Sequence, residues 1–148
     1  MSSQVRRMEE SDLPKVFALD QASFGAERDF FLRRRFELFP ELCQVMVIDG
    51  QLTGFIFGRR GEGWASAGPW VVSEETAEPG HLLEAFAYEL GDVSISVGIL
   101  DANREARELV RSLGFVERAD SPWRMARGDS SDLGASSRCY AVGSAAKG

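Results

Sequence analysis

The stretch that most constrains this chain is residues 43 to 72, "CQVMVIDGQLTGFIFGRRGEGWASAGPWVV", where three apolar runs are separated by two short turns. Asp49-Gly50 between the first two is a strong hairpin signal, because both residues tolerate the positive φ that a tight two-residue turn requires. Gly61-Glu62-Gly63 turns the chain again into a third run, Trp64 to Val72. Strands joined by so few residues can only be antiparallel neighbours. Pro69 has no N–H to give to a ladder, so the third strand is expected to bulge there or to lie at an edge.

The flanks read as helices and further strands. "VRRMEESDLPKVFALDQASFG" opens on a short extended stretch, and Ser11 is expected to cap a helix with Pro14 in its first turn. A second helix carries Phe31, Leu32, Arg35, Phe36, Leu38 and Phe39 at near-helical spacing until Pro40 stops it. After the meander, Leu82, Leu83, Phe86, Ala87 and Leu90 lie on one face of a helix that ends at Gly91. "DVSISVGIL" reads as a buried strand. The helix from residue 103 to 113 turns Ala106, Leu109, Val110 and Leu113 inward, with Gly114 at its exit and Phe115 in the core. "GFVERA" and "PWRMAR" read as two short strands, "GDSSDLGASS" as a loop, and "RCYAVGSAA" as a last strand or an interface-prone tail.

Helices on both sides of one meander-based sheet is the economical way to bury these faces. The expected fold is α+β: a single mixed, mostly antiparallel sheet with helices on both faces. At 148 residues the chain suits one domain. Residues 1–128 are expected to form its body, with 129–148 its loop and C-terminal strand or tail.

Composition excludes several functions. With a net charge of −6, the chain lacks the clustered Lys and Arg of a nucleic-acid surface. Arg33, Arg34 and Arg35 fan around a helix axis and are expected to form a solvated face. No apolar run has the length of a membrane span, and the start lacks a signal-peptide stretch, so a cytoplasmic location is expected. A single histidine, His81, makes a histidine-rich metal site unlikely on counting alone. Cys43 reads as a buried small hydrophobe, and a disulfide to Cys139 is not expected in a reducing compartment. Ser66 and Ser73 have no histidine placed by motif, so nucleophilic catalysis has no support.

The element order, with "SDLPKVFALD", "GPWVV" and "NREARELVRSLGF", resembles the GNAT superfamily of acetyl-CoA-dependent N-acetyltransferases over about residues 5 to 128. "LDQASFGAERDFFL", "GPWVV" and "WRMARG" further resemble the C-terminal GNAT-like domain of bacterial proteins that carry two such domains in tandem. The resemblance implies a strand that splays from its neighbour, here Gly68-Pro69-Trp70-Val71-Val72, and receives the pantetheine arm of acetyl-CoA on its free edge. It implies cofactor contacts at Trp70, Val71, Val72 and Ser73, at Gly80 and His81 where the next helix begins, and at Asn103. Plain helix capping is the simpler account of Asn103, since one short side chain does that without any ligand. The acceptor would be a small-molecule or peptide amine, with a homodimer as an option through the tail.

Three departures from the family pattern stand out. The phosphate loop, Arg/Gln-x-x-Gly-x-Gly/Ala in the family, is replaced by "SEETAEPGHLL", with Glu74, Glu75 and Glu78 where phosphate would sit. The tyrosine that protonates the leaving thiolate is matched by Val110. No glutamate stands on the third meander strand to act as a base. Two functions are therefore expected from this sequence: N-acetyl transfer by direct attack, or a catalytically inactive GNAT-like module for ligand sensing or assembly.

Overall fold

The computed structural model describes residues 3–25, 27–73, 78–98, 104–116 and 139–141. In chain order these form β1 (Ser3–Arg7), α1 (Leu13–Phe24), α2 (Asp29–Leu38), β2 (Gln44–Ile48), β3 (Gln51–Gly61), β4 (Trp64–Val72), α3 (Gly80–Leu90), β5 (Ser94–Val97), α4 (Arg104–Ser112) and β6 (Cys139–Ala141).

The meander nucleates the sheet as its sequence predicts. Asp49 and Gly50 both have positive φ, 51° and 81°, and Ile48 pairs with Gln51 across them. Strand order is β1-β2-β3-β4-β5, with β6 also on β4. Every pairing is antiparallel except β4 with β5, which is parallel. That matches the expected α+β class with one mixed, mostly antiparallel sheet.

Alternation along the strands divides the core in two. Val45, Phe55, Phe57 and Val71 point to one face and pack with Leu13, Val16, Phe24 and Leu32 of α1 and α2. Met46, Ile56, Trp70 and Val72 point to the other and pack with Leu82, Leu83 and Phe86 of α3 and Ala106 and Val110 of α4. Period-two alternation over two helix-covered faces explains why β3 is buried from Thr53 to Gly58 rather than every second residue. Gly58 is where α3 comes closest. A Cβ there would collide with the Phe86 ring and stand 3.0 Å from the Ser66 carbonyl oxygen.

Several expectations need correction. Ser11 does not cap the first helix: a 3-10 turn over Glu10–Asp12 leads into α1, and the Asp12 carboxylate takes the Glu9 N–H at 2.8 Å. Arg6 adds two bonds to the same carboxylate, at 2.8 and 2.9 Å. Ser11 lies inside that turn, and α1, with Asp12 at its N-cap position and Pro14 in its first turn, starts without a side-chain cap bond. The Arg6 hydrogen bond is the chief reason the Asp12 pKa lies below its ordinary value, with the Glu9 N–H helping against burial. β5 is not a buried strand, since Ser94 and Ser96 are exposed and Ile95 and Val97 only half-buried. The last turn of α4 ends as expected: Gly114 takes φ 99° and the Phe115 N–H reaches back to the Val110 carbonyl at 3.1 Å. The strand expected at "GFVERA" is not formed over its described residues, Gly114 to Val116, which are turn and irregular; the rest of it, the strand expected at "PWRMAR" and the loop after it lie outside the described residues.

Between α1 and α2, Arg28 grips Asp20 with two bonds of 2.8 Å, both side chains almost wholly buried. Its guanidinium stacks on Phe24 at 3.8 Å. Paired and hydrogen-bonded in this way, the two charges tolerate burial. Cys43 is buried as expected, and burial pushes its thiol up to about 12.

Candidate active site

β4 and β5 run side by side only from Trp64–Ser94 to Ala67–Val97. Among the described residues their pairing goes no further, and Trp70 and Val71 pair with β6 instead. Next along β4 after Ala67 come Gly68 and Pro69. On the β3 side the register jumps from Gly58–Ala67 to Ile56–Trp70, so Gly68 and Pro69 together face the single residue Phe57. This is the bulge that Pro69 predicted, and Gly68, at φ 133°, supplies a conformation that side chains disfavour.

A residue that sequence reasoning placed elsewhere holds the bulge. Arg35 of α2 was expected on a solvated helix face, yet it is 8% exposed and donates from Nη1 to the Gly68 carbonyl at 3.1 Å. The Phe31 ring lies 4.8 Å beneath its guanidinium. Burial lowers its pKa, and the charges of Arg59 and Arg28 lower it further. Arg33 and Arg34 remain exposed. The legible signal was spacing: Arg35 follows Phe31 by four and Leu32 by three, on the face that packs inward.

Past the bulge, Trp70, Val71 and Val72 pair on one edge with Ile56, Phe55 and Gly54. Their side chains are buried in the two cores, so only their main chain can meet a ligand. The Ser73 N–H donates to the Thr53 carbonyl at 2.7 Å. The other edge, where β4 has left β5, carries β6, antiparallel, with Trp70 opposite Ala141 and Val71 opposite Cys139. "RCYAVGSAA" thus supplies a last strand, and it lies on the stretch expected to receive pantetheine.

The start of α3 is less accommodating to phosphate. Its N-terminus has Pro79 as cap, and the N–H groups of His81 and Leu82 are spent on the Glu78 and Pro79 carbonyls at 3.2 and 3.3 Å. Gly80 is buried, and a Cβ there would meet Leu109 Cδ1 at 3.2 Å, so this glycine serves the close approach of α4. His81 is half-exposed, its Nε2 3.3 Å from Glu78 Oε1. A carboxylate beside a helix N-terminus occupies the ground an anion would want. Asn103 lies outside the described residues, as do Glu74 and Glu75.

Trp70, Val71 and Val72 therefore lie together on β4 with Ser73 just past its end, and Gly80 and His81 begin the helix that follows. Val110 is buried in the core beside α3, consistent with an apolar role. Tyr88 stands 87% exposed on α3, a position that gives its hydroxyl no sheltered site. Among the described residues no group of three or more His, Cys, Asp or Glu could hold a metal, and no helix is long and apolar enough to cross a membrane.

Comparison with known proteins agrees with this architecture. The sequence matches the family model described as an acetyltransferase (GNAT) domain over residues 16–141. Among curated proteins, no sequence matches it. The fold is similar to that of Ard1 from Thermoplasma volcanium, with TM-score 0.74 and 22% identity, covering 88% of this chain and 93% of that one. It is also similar to Naa50 of Arabidopsis thaliana in complex with the bisubstrate analogue CoA-Ac-MVNAL, at TM-score 0.69 and 13% identity, covering 80% and 85%. A third similar structure is the ribosomal-protein-S18-alanine N-acetyltransferase of Escherichia coli, at TM-score 0.64 and 20% identity, covering 79% of each chain. At such identities these likenesses speak for the fold alone.

Proposed function

We propose, from the premise that this chain belongs to the GNAT acetyltransferase family, that it transfers an acetyl group from acetyl-CoA to an amine by direct attack. The observation that carries this reading is that, among the described residues, β4 pairs with β5 only as far as Ala67 and Val97, while past the bulge at Gly68-Pro69 the edge of Trp70 and Val71 takes β6. A strand edge released in this way presents N–H and C=O groups at the spacing of an amide-bearing chain. The pairing of β6 on Trp70 and Val71 supports the same point, because it is a peptide backbone that this edge accepts.

The residues fit the amide arm of the cofactor better than its pyrophosphate. Main-chain groups of Trp70, Val71, Val72 and Ser73 would hold the arm. The start of α3 at Gly80 and His81 would face the phosphates, with Glu78 weakening that contact. Bound there, acetyl-CoA would supply an activated thioester. The protein's share is to align the amine with it and to aim main-chain N–H groups at the carbonyl where negative charge develops. No acid side chain is assigned, since Val110 has no proton to give. The amine is a small molecule or a peptide N-terminus, as the bisubstrate analogue on the Arabidopsis protein illustrates for that enzyme.

The burial of Val110 in the core and the carboxylate of Glu78 at the helix start favour a second reading. In it the family scaffold persists as a ligand-sensing or assembly module without turnover. Titration calorimetry with acetyl-CoA, followed by an acetylation assay on a panel of amines, separates the two. Binding with turnover is the expected result. Binding without turnover selects the sensing module, and no heat at millimolar ligand refutes the acetyl-transfer reading.

A further inference from the structure

We propose that the C-terminal strand β6 is a built-in competitor of the cofactor: β6 and the amide arm of coenzyme A use the same edge of β4, and each must leave for the other to bind. The inference rests on the reading of this edge as the acetyl-CoA slot.

The argument is one of main-chain accounting. A strand has two edges. From Trp70 to Val72 the first edge of β4 is committed to β3, at Ile56, Phe55 and Gly54. The second edge is released from β5 after Ala67–Val97, and Trp70 and Val71 offer it to Ala141 and Cys139 of β6. These are the residues whose edge would receive the arm. Each main-chain N–H on that edge has one proton to give and the space beside it admits one chain, so the peptide and the arm cannot occupy it together. Both are amide-bearing chains, which makes them alternatives by chemistry as well as by place.

The strand is also suited to release. β6 has three residues, Cys139 to Ala141, against the five or six of an average strand. Its register on β4 shifts between Trp70 and Val71, so the ladder is interrupted within its own length. β4, by contrast, keeps Trp70 to Val72 fixed through its pairing with β3 and its side chains in both cores. The acceptor edge is rigid and the occupant is short. A slot that is open about one-tenth of the time binds its ligand about tenfold more weakly than one always open.

Two measurements on the full chain test this. The first is peptide-resolved hydrogen exchange with and without saturating coenzyme A. Amides of residues 139–141 are expected to lose protection when coenzyme A is added, while those of Trp70 and Val71 keep theirs. The second is calorimetry of coenzyme A on the Ala141→Pro variant, in which the ladder at β6 is broken by loss of an N–H and a fixed φ. Its affinity is expected to rise about tenfold over the unsubstituted chain. Should Ala141→Pro fail to fold, the exchange experiment still decides. Coenzyme A binding that leaves β6 protected, with unchanged affinity in the variant, overturns the competition and leaves the acetyl-CoA reading intact. Absence of binding to either chain overturns both.

Discussion

Gly58→Ala is the sharpest test of how the two layers of this fold are fitted together. The added Cβ would meet the outer edge of the Phe86 ring and lie 3.0 Å from the Ser66 carbonyl oxygen. Neither neighbour can give way easily. Ser66 is held in β4 between β3 and β5, and Phe86 is fully buried among Ile56, Leu82, Leu83 and Val110. Either α3 shifts outward or the sheet bends. Overpacking of this kind costs about 3 kcal/mol, and the lower chain entropy of alanine in the unfolded state offsets about 0.5–1 of it. The net loss of about 2 kcal/mol would lower the thermal midpoint by roughly 4–8 °C in a chain of this length. Urea unfolding should show a lower midpoint with an unchanged slope. The decisive comparison is Gly58→Ala with Phe86→Leu. Leucine lacks the ring atoms that collide, and alone it should cost about 1–2 kcal/mol as a partly collapsed cavity. If the reasoning holds, the double variant is no less stable than Phe86→Leu. Effects that simply add, to within about 0.5 kcal/mol, would refute it.

Two further predictions follow from the charges. Asp20→Ala leaves the Arg28 guanidinium buried without its carboxylate and should destabilise the chain by about 3–5 kcal/mol; Asp20→Ala with Arg28→Met should recover most of that loss in urea unfolding, and a double variant no better than the single would contradict it. The pKa of Asp12 is lower in the folded chain than its ordinary value of 3.8, chiefly through Arg6. Its contribution to stability is therefore present above about pH 4 and is lost as pH falls through the folded value. The stability gap between the natural chain and Asp12→Asn, followed by urea midpoints from pH 7 to pH 2, should narrow across that acid range.

The meander was plain in the sequence because its turns are chemically specific. Asp49-Gly50 admits one kind of hairpin, and Pro69 forbids an unbroken ladder. Helix faces were legible for a similar reason, since Leu82, Leu83, Phe86 and Leu90 repeat at the helical period while Glu84 and Glu89 are left to solvent. The first helix start was misread because local propensity named Ser11, whereas the carboxylate of Asp12 is fixed by Arg6 from a neighbouring strand, a contact that no local pattern encodes. Arg35 was misread because three adjacent arginines look solvated by composition. Its role depends on a carbonyl thirty-three residues away that the bulge leaves exposed to it. The site was legible only as a strand edge. Propensity marked the C-terminal residues as a possible strand, but pairing partners are a property of the assembled sheet, so the identity of β6's neighbour could not be read.

The bond from Arg35 to Gly68 has a mechanical consequence. It ties a helix lying over one layer of the core to the hinge at which β4 leaves β5. Were the mouth to widen, the Gly68 oxygen would move, and the buried guanidinium would have to follow it or give up the bond. If the bond holds, α2 is drawn along with it, and a fluorophore beside Phe30 or Leu38, both exposed on that helix, would report the shift when the mouth is filled.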